Sequence, residues 1–514
     1  MSKERILWAD DEIDLLKPHV LFLQSKGYDV ATVTNGRDAL DALSNEIFSL
    51  IILDENMPGI SGLEALQRIK ILQPNVPVIM ITKSEEEDIM NQAIGSKIAD
   101  YLIKPVNPNQ IWLSIKKNLH SDDLVKQQVT NDYRQEFMRI SNLIAAADNI
   151  DDWYALYSTL VRWEVNLTAA QTDMTDMLRM QKNEANSAFA KYVKRNYERW
   201  LTTDQHPLRS NEVFKTAVLP LLDKGEKVCF VVIDNFRLDQ WRTVRPLLED
   251  YFSIDQEALY TAILPTATQY ARNAIFSGLM PIDIERMFPD LWVDEESEEG
   301  KNVNEAPLIQ TFLDRYRRKV RFSYTKINDR AAAQRLTQNF ANLNNFELNV
   351  IVINFVDMLS HARTESKMIR ELVGSDPSYR ALTTSWFRNS YALDIFRLIA
   401  QNRFRVVLTT DHGTIQVNNP IKVIGDKNTN TNLRYKLGKQ LSYNPKQVFQ
   451  IKQPKRFGLP APNVSTAYIF ATNHDFFAYP NNYNYYVQYY NDTFQHGGIS
   501  MEEMLVPLIT LSPK

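Results

Sequence analysis

The sequence predicts an α/β protein in which a flavodoxin-like domain is joined by an all-α linker bundle to a second α/β domain. Over residues 1–120, short apolar runs alternate with helical stretches, as in a doubly wound parallel sheet. Residues 121–205 contain neither Gly nor Pro, which favours long helices. In residues 206–514, several apolar runs end in acidic residues, a pattern typical of strands that deliver side chains to one sheet edge. The chain therefore divides into three predicted domains.

The composition is that of an ordinary globular protein. Hydrophobic residues make up 44% and charged residues 23% of 514 positions, a length that suits about three domains. The net charge of −4 gives no sign that the chain as a whole binds polyanions. The single cysteine, Cys229, lies in an apolar run, so we expect a buried thiol and a reducing compartment. Early charges at the N-terminus and the lack of a long apolar run predict neither a signal peptide nor a membrane span, hence a cytoplasmic protein.

The first domain has the residues of a phosphoryl-accepting site at the carboxyl ends of its predicted strands, which meet at one edge of a parallel sheet. The three carboxylates of Asp10, Asp11 and Asp54 suit Mg²⁺, which prefers oxygen ligands. Thr82 and Lys104 follow the next two strands, where they can hold an incoming phosphoryl group. The predicted strands are Ile6–Ala9, Tyr28–Val33, Leu50–Leu53, Val76–Ile81 and Asp100–Ile103.

These residues, with Met57-Pro58-Gly59 after the third strand, make residues 1–120 similar to the receiver domain of two-component response regulators. One departure is Lys83, where receivers usually carry a small residue; a cation there can screen the phosphoryl group. A pseudo-receiver that never accepts phosphate is the alternative. The resemblance implies a phospho-acceptor, two further acids that bind Mg²⁺ with it, and three residues that contact or respond to the phosphoryl group. In that order they are Asp54; Asp10 and Asp11; and Thr82, Tyr101 and Lys104.

The linker is predicted to be helical. Apolar residues fall three or four positions apart, which is the spacing of one helix face, and Asp151-Asp152 ahead of them is typical of a helix start. The last linker helix is basic, which indicates a solvated face more than a nucleic-acid stripe. Because no helix-turn-helix pattern follows the first domain, we expect no direct reading of DNA. The apolar positions are Trp153, Leu156, Leu160 and Trp163, and the basic ones are Lys191, Lys194, Arg195 and Arg199.

The stretch Leu408–Gly413 organises the third domain. It closes an apolar run, Phe404–Leu408, which is predicted to be a buried strand, and it places Asp411 and His412 at the strand's exit. Two further apolar runs end in an acid in the same way. Carboxylates at the carboxyl ends of parallel strands converge, so we expect one site at this edge of the sheet. The two runs and their acids are Val228–Ile233 with Asp234, and Val350–Val356 with Asp357.

Histidines complete this candidate site. His361 follows Asp357 by four residues, about one helical turn, so the two side chains can face the same point. His496, followed by Gly497-Gly498, is a further candidate. Three carboxylates and three imidazoles are enough for two metal sites of mixed oxygen and nitrogen ligation, which zinc prefers. Alternatively, each acid is a helix cap and each histidine is structural.

A further element is Leu264–Arg272, which contains Pro-Thr-Ala-Thr and is followed by the turn Gly278–Pro281. With the preceding motifs, it makes roughly residues 210–514 resemble the alkaline phosphatase superfamily. The resemblance is closest to the PglZ domain, and the same motifs are also similar to those of the nucleotide pyrophosphatase/phosphodiesterases. It implies that Thr268 is the nucleophile, whereas an ordinary helix N-cap is the alternative. The implied ligands are Asp234, Asp411, His412 and Thr268 for one zinc, and Asp357, His361 and His496 for the other.

Two stretches beside these motifs suit a long anionic substrate. Residues 422–456 contain nine Lys or Arg against one acid, Asp426, and we expect Lys436 and Lys439 to bind substrate. Six tyrosines between Tyr479 and Tyr490 either stack on bases or pack in a strand. The acidic loop at 290–305 carries no chemistry that we can name.

The order of the three domains resembles PorX-type response regulators. The resemblance implies a PorY-like sensor histidine kinase and a sigma factor or secretion-system component as partners, and a homodimer on phosphorylation. Our first hypothesis is a phosphorylation-controlled, zinc-dependent phosphodiesterase that acts on nucleotides or oligonucleotides and regulates type IX secretion and gliding. The second is a signalling adaptor with a structural metal site that acts by binding proteins. The intact Thr268 favours the enzyme.

Overall fold

The computed structural model describes residues 3–83, 94–95, 98–294, 300, 302–365, 367–425 and 429–514. The chain divides into two compact units, Met1–Val129 and Thr130–Lys514, and the division lies inside one helix, Pro108–Ala146. The domain boundaries expected at residues 120 and 205 stay predictions. None of the described helices combines the length and the apolar character needed to cross a membrane.

The first unit contains a parallel sheet with its strands in the spatial order second, first, third, fourth, fifth, the order of flavodoxin-like folds. Because alternate residues of a strand face opposite sides, Leu7 and Ile51 pack in one core cluster, and Trp8 and Ile52 pack in another. The strands are Arg5–Ala9, Asp29–Val33, Leu50–Asp54, Val78–Thr82 and Asp100–Ile103, and the described helices before Pro108–Ala146 include Ile13–Leu16 (3₁₀), Lys17–Ser25, Gly36–Asn45 and Gly62–Leu72.

The linker is helical, as predicted, and its residues from Thr130 onward belong to the second unit. Helices Ile150–Ala169 and Thr175–Thr202 follow Pro108–Ala146, and the Asn149 side chain caps the first of them by accepting a hydrogen bond from the Asp152 amide. All four apolar positions expected on one helix face are buried, so the predicted face is confirmed. These four residues are Trp153, Leu156, Leu160 and Trp163.

The second unit is built on a mixed sheet that also sets the positions of the candidate ligands. From one edge, its strands are Phe252–Thr261, Leu505–Pro513, Arg405–Thr409, Val228–Ile233, Leu348–Ile353 and Phe322–Ile327. Leu505–Pro513 is antiparallel to both of its neighbours, and the other pairings are parallel. The two adjacent strands Val228–Ile233 and Leu348–Ile353 are completely buried, as expected for parallel strands covered on both faces, and Cys229 is a core residue as predicted.

Smaller strands and helices cover this sheet. The paired strands are Ile415–Gln416 with Phe494–Gln495, Asn419–Lys422 with Asp475–Ala478, and Tyr435–Gly438 and Phe449–Ile451 on either side of Ala467–Phe470. The helices are Ser210–Val213, Phe214–Val218 (π), Leu219–Asp223, Leu238–Leu248, Thr268–Ser277, Pro281–Met287, Pro289–Leu291 (3₁₀), Glu305–Arg315, Arg330–Gln338, Phe340–Asn345 (3₁₀), Phe355–Glu365, Lys367–Leu372, Asp376–Asn389, Tyr391–Gln401, Pro454–Phe457 (3₁₀), Tyr483–Tyr490 and Met501–Met504.

One predicted strand is wrong at its end. The run Val350–Val356 was expected to be a strand that delivers Asp357, but the strand ends at Ile353 and Asp357 lies in the first turn of helix Phe355–Glu365. Val356 is buried in this helix just as it would be in a strand. An apolar run by itself therefore cannot show where the strand stops and the helix begins.

Two helices also differ from expectation. The last helix of the predicted first domain continues past residue 120 to Ala146, because no Gly or Pro follows Pro108 within it. The strand alternative for the tyrosines is wrong, because most of them lie in helix Tyr483–Tyr490. In that helix Tyr483 and Val487, four positions apart, pack against a buried cluster, while Tyr485 is exposed.

The basic stretch at 422–456 is not one exposed surface. Arg434 is buried, with Nη2 2.6 Å from Glu503 Oε2. Lys436 is also buried; its Nζ donates to the Asn430 carbonyl at 2.7 Å. Lys439 is exposed, whereas Asp426 and Lys427 lie outside the described residues, as do residues 295–299 and 301 of the acidic loop. Counting charges along the sequence therefore overestimated this surface.

Candidate functional site

The first unit brings the predicted receiver residues together. Asp10, Asp11 and Asp54 each offer an oxygen, and the three oxygens lie within 4.8 Å of one another. Lys104 Nζ lies 2.7 Å from Asp54 Oδ1 and 2.8 Å from Asp10 Oδ2. Burial raises the pKa of Asp54, and the ammonium of Lys104 opposes that rise. Carboxylates in this arrangement, with an adjacent cation, suit a divalent cation and a phosphoryl group.

The other receiver residues flank this cluster. Thr82 is buried at the end of strand Val78–Thr82, which pairs with the strand of Asp54. Tyr101 is partly buried against the core cluster on one face of the sheet. The ammonium of Lys83 pairs with Glu12 at 2.8 Å. The expected effect of Lys83 on a phosphoryl group stays a prediction.

In the second unit, one cluster forms where two neighbouring parallel strands end. Asp234 directly follows Val228–Ile233, and Asp411 and His412 follow Arg405–Thr409 after one residue. Their ligand atoms lie within 4.8 Å of one another. All three residues are buried, so water competes poorly for them. This is the convergence that strand-end carboxylates predict.

Thr268 lies against this cluster. Its Oγ1 is 3.1 Å from His412 Nε2, and His412 Nδ1 is 3.1 Å from the Gly413 carbonyl. If Nδ1 carries the proton and donates it to that carbonyl, Nε2 faces Thr268 with a free lone pair. Gly413 is required at this turn, because a Cβ there would collide with the Glu502 carbonyl oxygen.

Thr268 is not the N-cap of its helix, so that alternative is wrong. Ala267 occupies the N-cap position with an extended backbone, and Thr268 is the first residue of helix Thr268–Ser277. The Thr268 hydroxyl therefore does not cap the helix, and it points towards His412. A helix N-terminus favours negative charge, including that of a threonine alkoxide.

The second cluster consists of Asp357, His361 and His496, whose ligand atoms also lie within 4.8 Å of one another. Asp357 and His361 are one turn apart on a helix, as their spacing predicted; His361 Nε2 is 3.4 Å from Asp357 Oδ2. His496 Nε2 is 3.7 Å from Asp357 Oδ1. Burial, with the nearby ring of His412, lowers the pKa of His496 to about 3, so its imidazole is neutral and able to bind a metal.

The two clusters are adjacent. The rings of His412 and His496 stack, with their centroids 4.1 Å apart and an angle of 18° between their planes. Each ring belongs to a different cluster, so the two sets of ligands face one common space. An arrangement of this kind suits two metal ions that act on one substrate group.

The donor atoms fit zinc. Around His412 Nε2, the distances to Thr268 Oγ1, Asp234 Oδ1 and Asp411 Oδ2 are 3.1, 3.8 and 3.9 Å. Ligands of a tetrahedral zinc ion are expected to lie about 3.3 Å from one another. Among the described residues, Asp234 Oδ1 is buried and has no hydrogen-bond partner. A buried carboxylate oxygen without a donor is unfavourable, and a bound cation would remove that penalty.

Sequence reasoning missed two residues that touch these ligands. Arg272, one turn after Thr268, is buried with its guanidinium between Asp234 and Asp411. Asn235 has a left-handed backbone, with φ of 61°. Its backbone N–H donates to Asp411 Oδ1 at 3.4 Å, and its side-chain Nδ2 donates to Asp357 Oδ1 at 3.2 Å. Asn235 therefore connects both clusters. The only signals in the sequence are that Asn235 follows Asp234 and that Arg272 follows Thr268 by four residues.

Of the two predicted substrate lysines, Lys436 is buried and Lys439 is exposed. Lys436 lies under the Tyr479 ring, with Nζ 4.8 Å from its centroid, and lines a cavity of about 440 Å³ with Tyr486 and Tyr490. The residues that line this cavity include none of the candidate metal ligands. Whether Lys436 or Lys439 binds substrate stays a prediction.

Sequence comparisons divide the chain into three parts. Residues 6–116 match the response regulator receiver domain, residues 123–201 match the PorX response regulator linker domain, and residues 213–511 match the BREX system PglZ alkaline phosphatase-like domain. The last match spans more than half of the chain. With the sheet orders described above, these matches confirm the predicted fold class.

Individual relatives share a smaller part of the chain. The transcriptional regulatory protein ZraR of Klebsiella oxytoca is 32% identical over 139 residues, 27% of this chain and 31% of that protein. The alginate biosynthesis transcriptional regulatory protein AlgB of Pseudomonas putida is 35% identical over 118 residues, 23% of this chain and 26% of that protein. The chain thus spans about a third or less of the length of these relatives.

Solved structures match over a similar share. A receiver domain protein (CheY-like) from Methanospirillum hungatei is 29% identical, with a TM-score of 0.23. The match covers 23% of this chain and 96% of the Methanospirillum chain. The response regulator TrrA of Thermotoga maritima, in complex with Mg²⁺ and BeF, is 31% identical, with a TM-score of 0.21, and covers 23% of this chain and 99% of that one.

Proposed function

This chain belongs to the PorX-type response regulators, in which a receiver and a linker precede a PglZ alkaline phosphatase-like domain, and we propose that it is a zinc-dependent phosphodiesterase controlled by phosphorylation of Asp54. One observation carries the proposal: the Thr268 hydroxyl lies 3.1 Å from His412, beside two clusters of acids and histidines joined by stacked rings. Nucleotides or oligonucleotides are the proposed substrates, and regulation of type IX secretion and gliding is the proposed role.

Two zinc ions are the proposed cofactors of the second unit. Asp234, Asp411, His412 and Thr268 would hold one, and Asp357, His361 and His496 would hold the other. When bound, zinc supplies positive charge that lowers the pKa of the Thr268 hydroxyl and offsets the charge of the phosphate oxygens. The position of Thr268 at a helix N-terminus stabilises its alkoxide further.

The residues of this chain then carry a two-step displacement. Thr268 loses its hydroxyl proton to solvent, its Oγ1 forms a bond to phosphorus, and the bond from phosphorus to the leaving ester oxygen breaks. The leaving oxygen takes a proton from solvent and departs as an alcohol. A water molecule then attacks the phosphorus of the threonine-linked intermediate, the bond from phosphorus to Oγ1 breaks, and the phosphate monoester leaves as the Thr268 hydroxyl is regenerated. Because His412 Nδ1 faces the Gly413 carbonyl, Nε2 is the imidazole nitrogen that would hold the metal, next to the Thr268 oxygen.

The receiver supplies the control. Asp54, with Asp10 and Asp11 binding Mg²⁺, accepts a phosphoryl group from a PorY-like sensor histidine kinase, and Lys104 contacts the group once it is attached. Thr82 turns towards the phosphoryl group and Tyr101 fills the space that it leaves. A homodimer on phosphorylation and a cytoplasmic location complete the proposal.

The test measures metal and turnover in the same protein. We expect about two zinc per chain by elemental analysis, and hydrolysis of bis(p-nitrophenyl) phosphate by zinc-loaded protein. Thr268→Val removes only the hydroxyl; since zinc stays with the remaining ligands, turnover should fall by about 10³-fold or more while zinc content falls little. Asp411→Asn is the matched variant that should lower zinc content as well. Turnover by Thr268→Val at the wild-type rate would exclude Thr268 as the nucleophile.

The adaptor hypothesis has one observation in its favour. Met358, Met368 and Leu372 are exposed on consecutive helices next to His361, and exposed apolar side chains are typical of protein-binding surfaces. A sigma factor or secretion-system component is the proposed partner. Zinc-loaded protein that cleaves neither mono- nor diester phosphates, yet binds such a partner, would favour the adaptor.

A further inference from the structure

We propose that Arg272 is a positioning residue for the metal centre: it holds Asp234 and Asp411 in the orientation in which they bind zinc. Its guanidinium is completely buried on helix Thr268–Ser277. Nε donates to Asp411 Oδ2 at 3.0 Å, Nη2 lies 2.9 Å from the same oxygen, and Nη2 also pairs with Asp234 Oδ2. The inference rests on the zinc centre of the proposed function, and it concerns a residue outside the proposed ligand sets.

The guanidinium forms an ion pair with one oxygen of Asp234, and the other oxygen stays able to bind a metal. The Oδ2 atom of Asp234 is paired with Arg272, while Oδ1 is 3.8 Å from His412 Nε2 and, among the described residues, has no hydrogen-bond partner. Asp411 is fixed at both oxygens, because its Oδ1 accepts the backbone amides of His412 and Asn235. Rotation of Asp411 would break a charge-assisted hydrogen bond with Arg272, and rotation of Asp234 would break an ion pair with it.

Arg272 is itself fixed from its other side. Nη1 donates to Glu305 Oε1 at 3.3 Å and to Asn354 Oδ1 at 3.4 Å. Lys326 Nζ lies 3.0 Å from Glu305 Oε2, and the Tyr324 hydroxyl donates to the same oxygen. The planar guanidinium therefore donates hydrogen bonds from Nε and Nη1 and makes ion pairs through Nη2, which is the rigid support that a metal site needs around its ligands.

The same helix carries the nucleophile. Thr268 is four residues before Arg272, so the two side chains lie on one face of helix Thr268–Ser277. Pairing of Arg272 with Asp234 and Asp411 therefore fixes this helix relative to the two strand ends that carry the carboxylates. Loss of the guanidinium should loosen Thr268 and both aspartates together.

The experiment measures zinc affinity of the full-length protein by competition with a chelator. Arg272→Lys keeps the positive charge but loses the planar set of donors, so we expect zinc affinity to fall about 10- to 100-fold, the usual cost of losing an outer-shell partner. Arg380→Lys is the matched control: Arg380 is a similarly buried arginine that bridges Glu164 and Asp239, and none of its hydrogen bonds goes to a candidate zinc ligand. Its zinc affinity should equal that of the wild type.

A second variant, Glu305→Gln, leaves the guanidinium and every proposed ligand in place and weakens only the support of Arg272. It should lower zinc affinity by less than Arg272→Lys does, and circular dichroism of each protein checks that it is folded. Equal zinc affinity in wild type, Arg272→Lys and Glu305→Gln would overturn the inference, as would an equal loss in Arg380→Lys. Wild-type protein that binds no zinc would instead overturn the proposed function.

Discussion

Tyr197 gives a test of how the linker supports the active site. Its hydroxyl oxygen accepts a hydrogen bond from the Leu264 amide at 2.7 Å, and both residues are buried. Leu264 lies four residues before Thr268, so this bond anchors the segment that leads to the proposed nucleophile. Tyr197→Phe removes the acceptor and keeps the ring, which packs against Phe457 and Trp200.

The cost follows from the contact that is lost. Because the ring stays, no cavity forms, and the main change is a buried N–H without an acceptor. Such an unsatisfied donor costs about 1–3 kcal/mol, and we expect the free energy of unfolding of the second unit to fall by that amount. Tyr485→Phe is the matched control: Tyr485 is exposed, so losing its hydroxyl should change the free energy by less than about 0.5 kcal/mol.

Two measurements check this prediction. Urea unfolding followed by circular dichroism gives the free energy, and hydrogen exchange followed by mass spectrometry reports on the peptide that contains Leu264. We expect faster exchange at that peptide in Tyr197→Phe and unchanged exchange in Tyr485→Phe. If Tyr197→Phe is as stable as Tyr485→Phe and its exchange is unchanged, the hydrogen bond does not anchor this segment and the reasoning fails.

Three further predictions concern control, substrate length and the buried Lys436. Beryllofluoride should convert the wild type from monomer to dimer in light scattering, because it mimics the phosphoryl group on Asp54; Asp54→Ala should stay monomeric, and an unchanged wild-type mass would contradict dimerisation. Lys439→Glu, at an exposed site, should weaken oligonucleotide binding more than binding of a small diester, and equal effects would remove Lys439 from the substrate surface. Charge reversal at the buried Lys436 should instead destabilise the fold, visible as a lower melting temperature than that of Lys439→Glu.

The parts of the site that were predictable follow from short-range rules. Asp234 and Asp411 could be placed because parallel strands end at one edge of a sheet, and Asp357 and His361 because residues four apart share a helix face. These rules need no knowledge of distant contacts. Pairing Thr268 with His412, 144 residues away, required a family resemblance, since no local rule relates them.

The rest could not be predicted because it depends on burial and on distant partners. Arg272 sits in a helix whose residues 269–277 are all buried, and its partners are brought to it only by the sheet. Lys436 was taken for a surface cation because charge counting ignores the cavity in which it lies. The end of strand Leu348–Ile353 was misplaced because Val356 is apolar and buried in either structure.

The linker helix Thr175–Thr202 accepts hydrogen bonds from two segments that lead to the candidate site. Asn186 Oδ1 accepts the Met501 amide at 2.8 Å, close to His496 in sequence, and Tyr197 accepts the Leu264 amide ahead of Thr268. Glu503 is two residues after Met501, and its backbone carbonyl accepts a hydrogen bond from the Gly413 amide at 3.1 Å. Gly413 directly follows His412 in the sequence. Without this helix, the buried amides of Leu264 and Met501 would lose their acceptors, at about 1–3 kcal/mol each. The linker therefore stabilises the segments that carry Thr268, His412 and His496, which explains why it folds as part of the second unit.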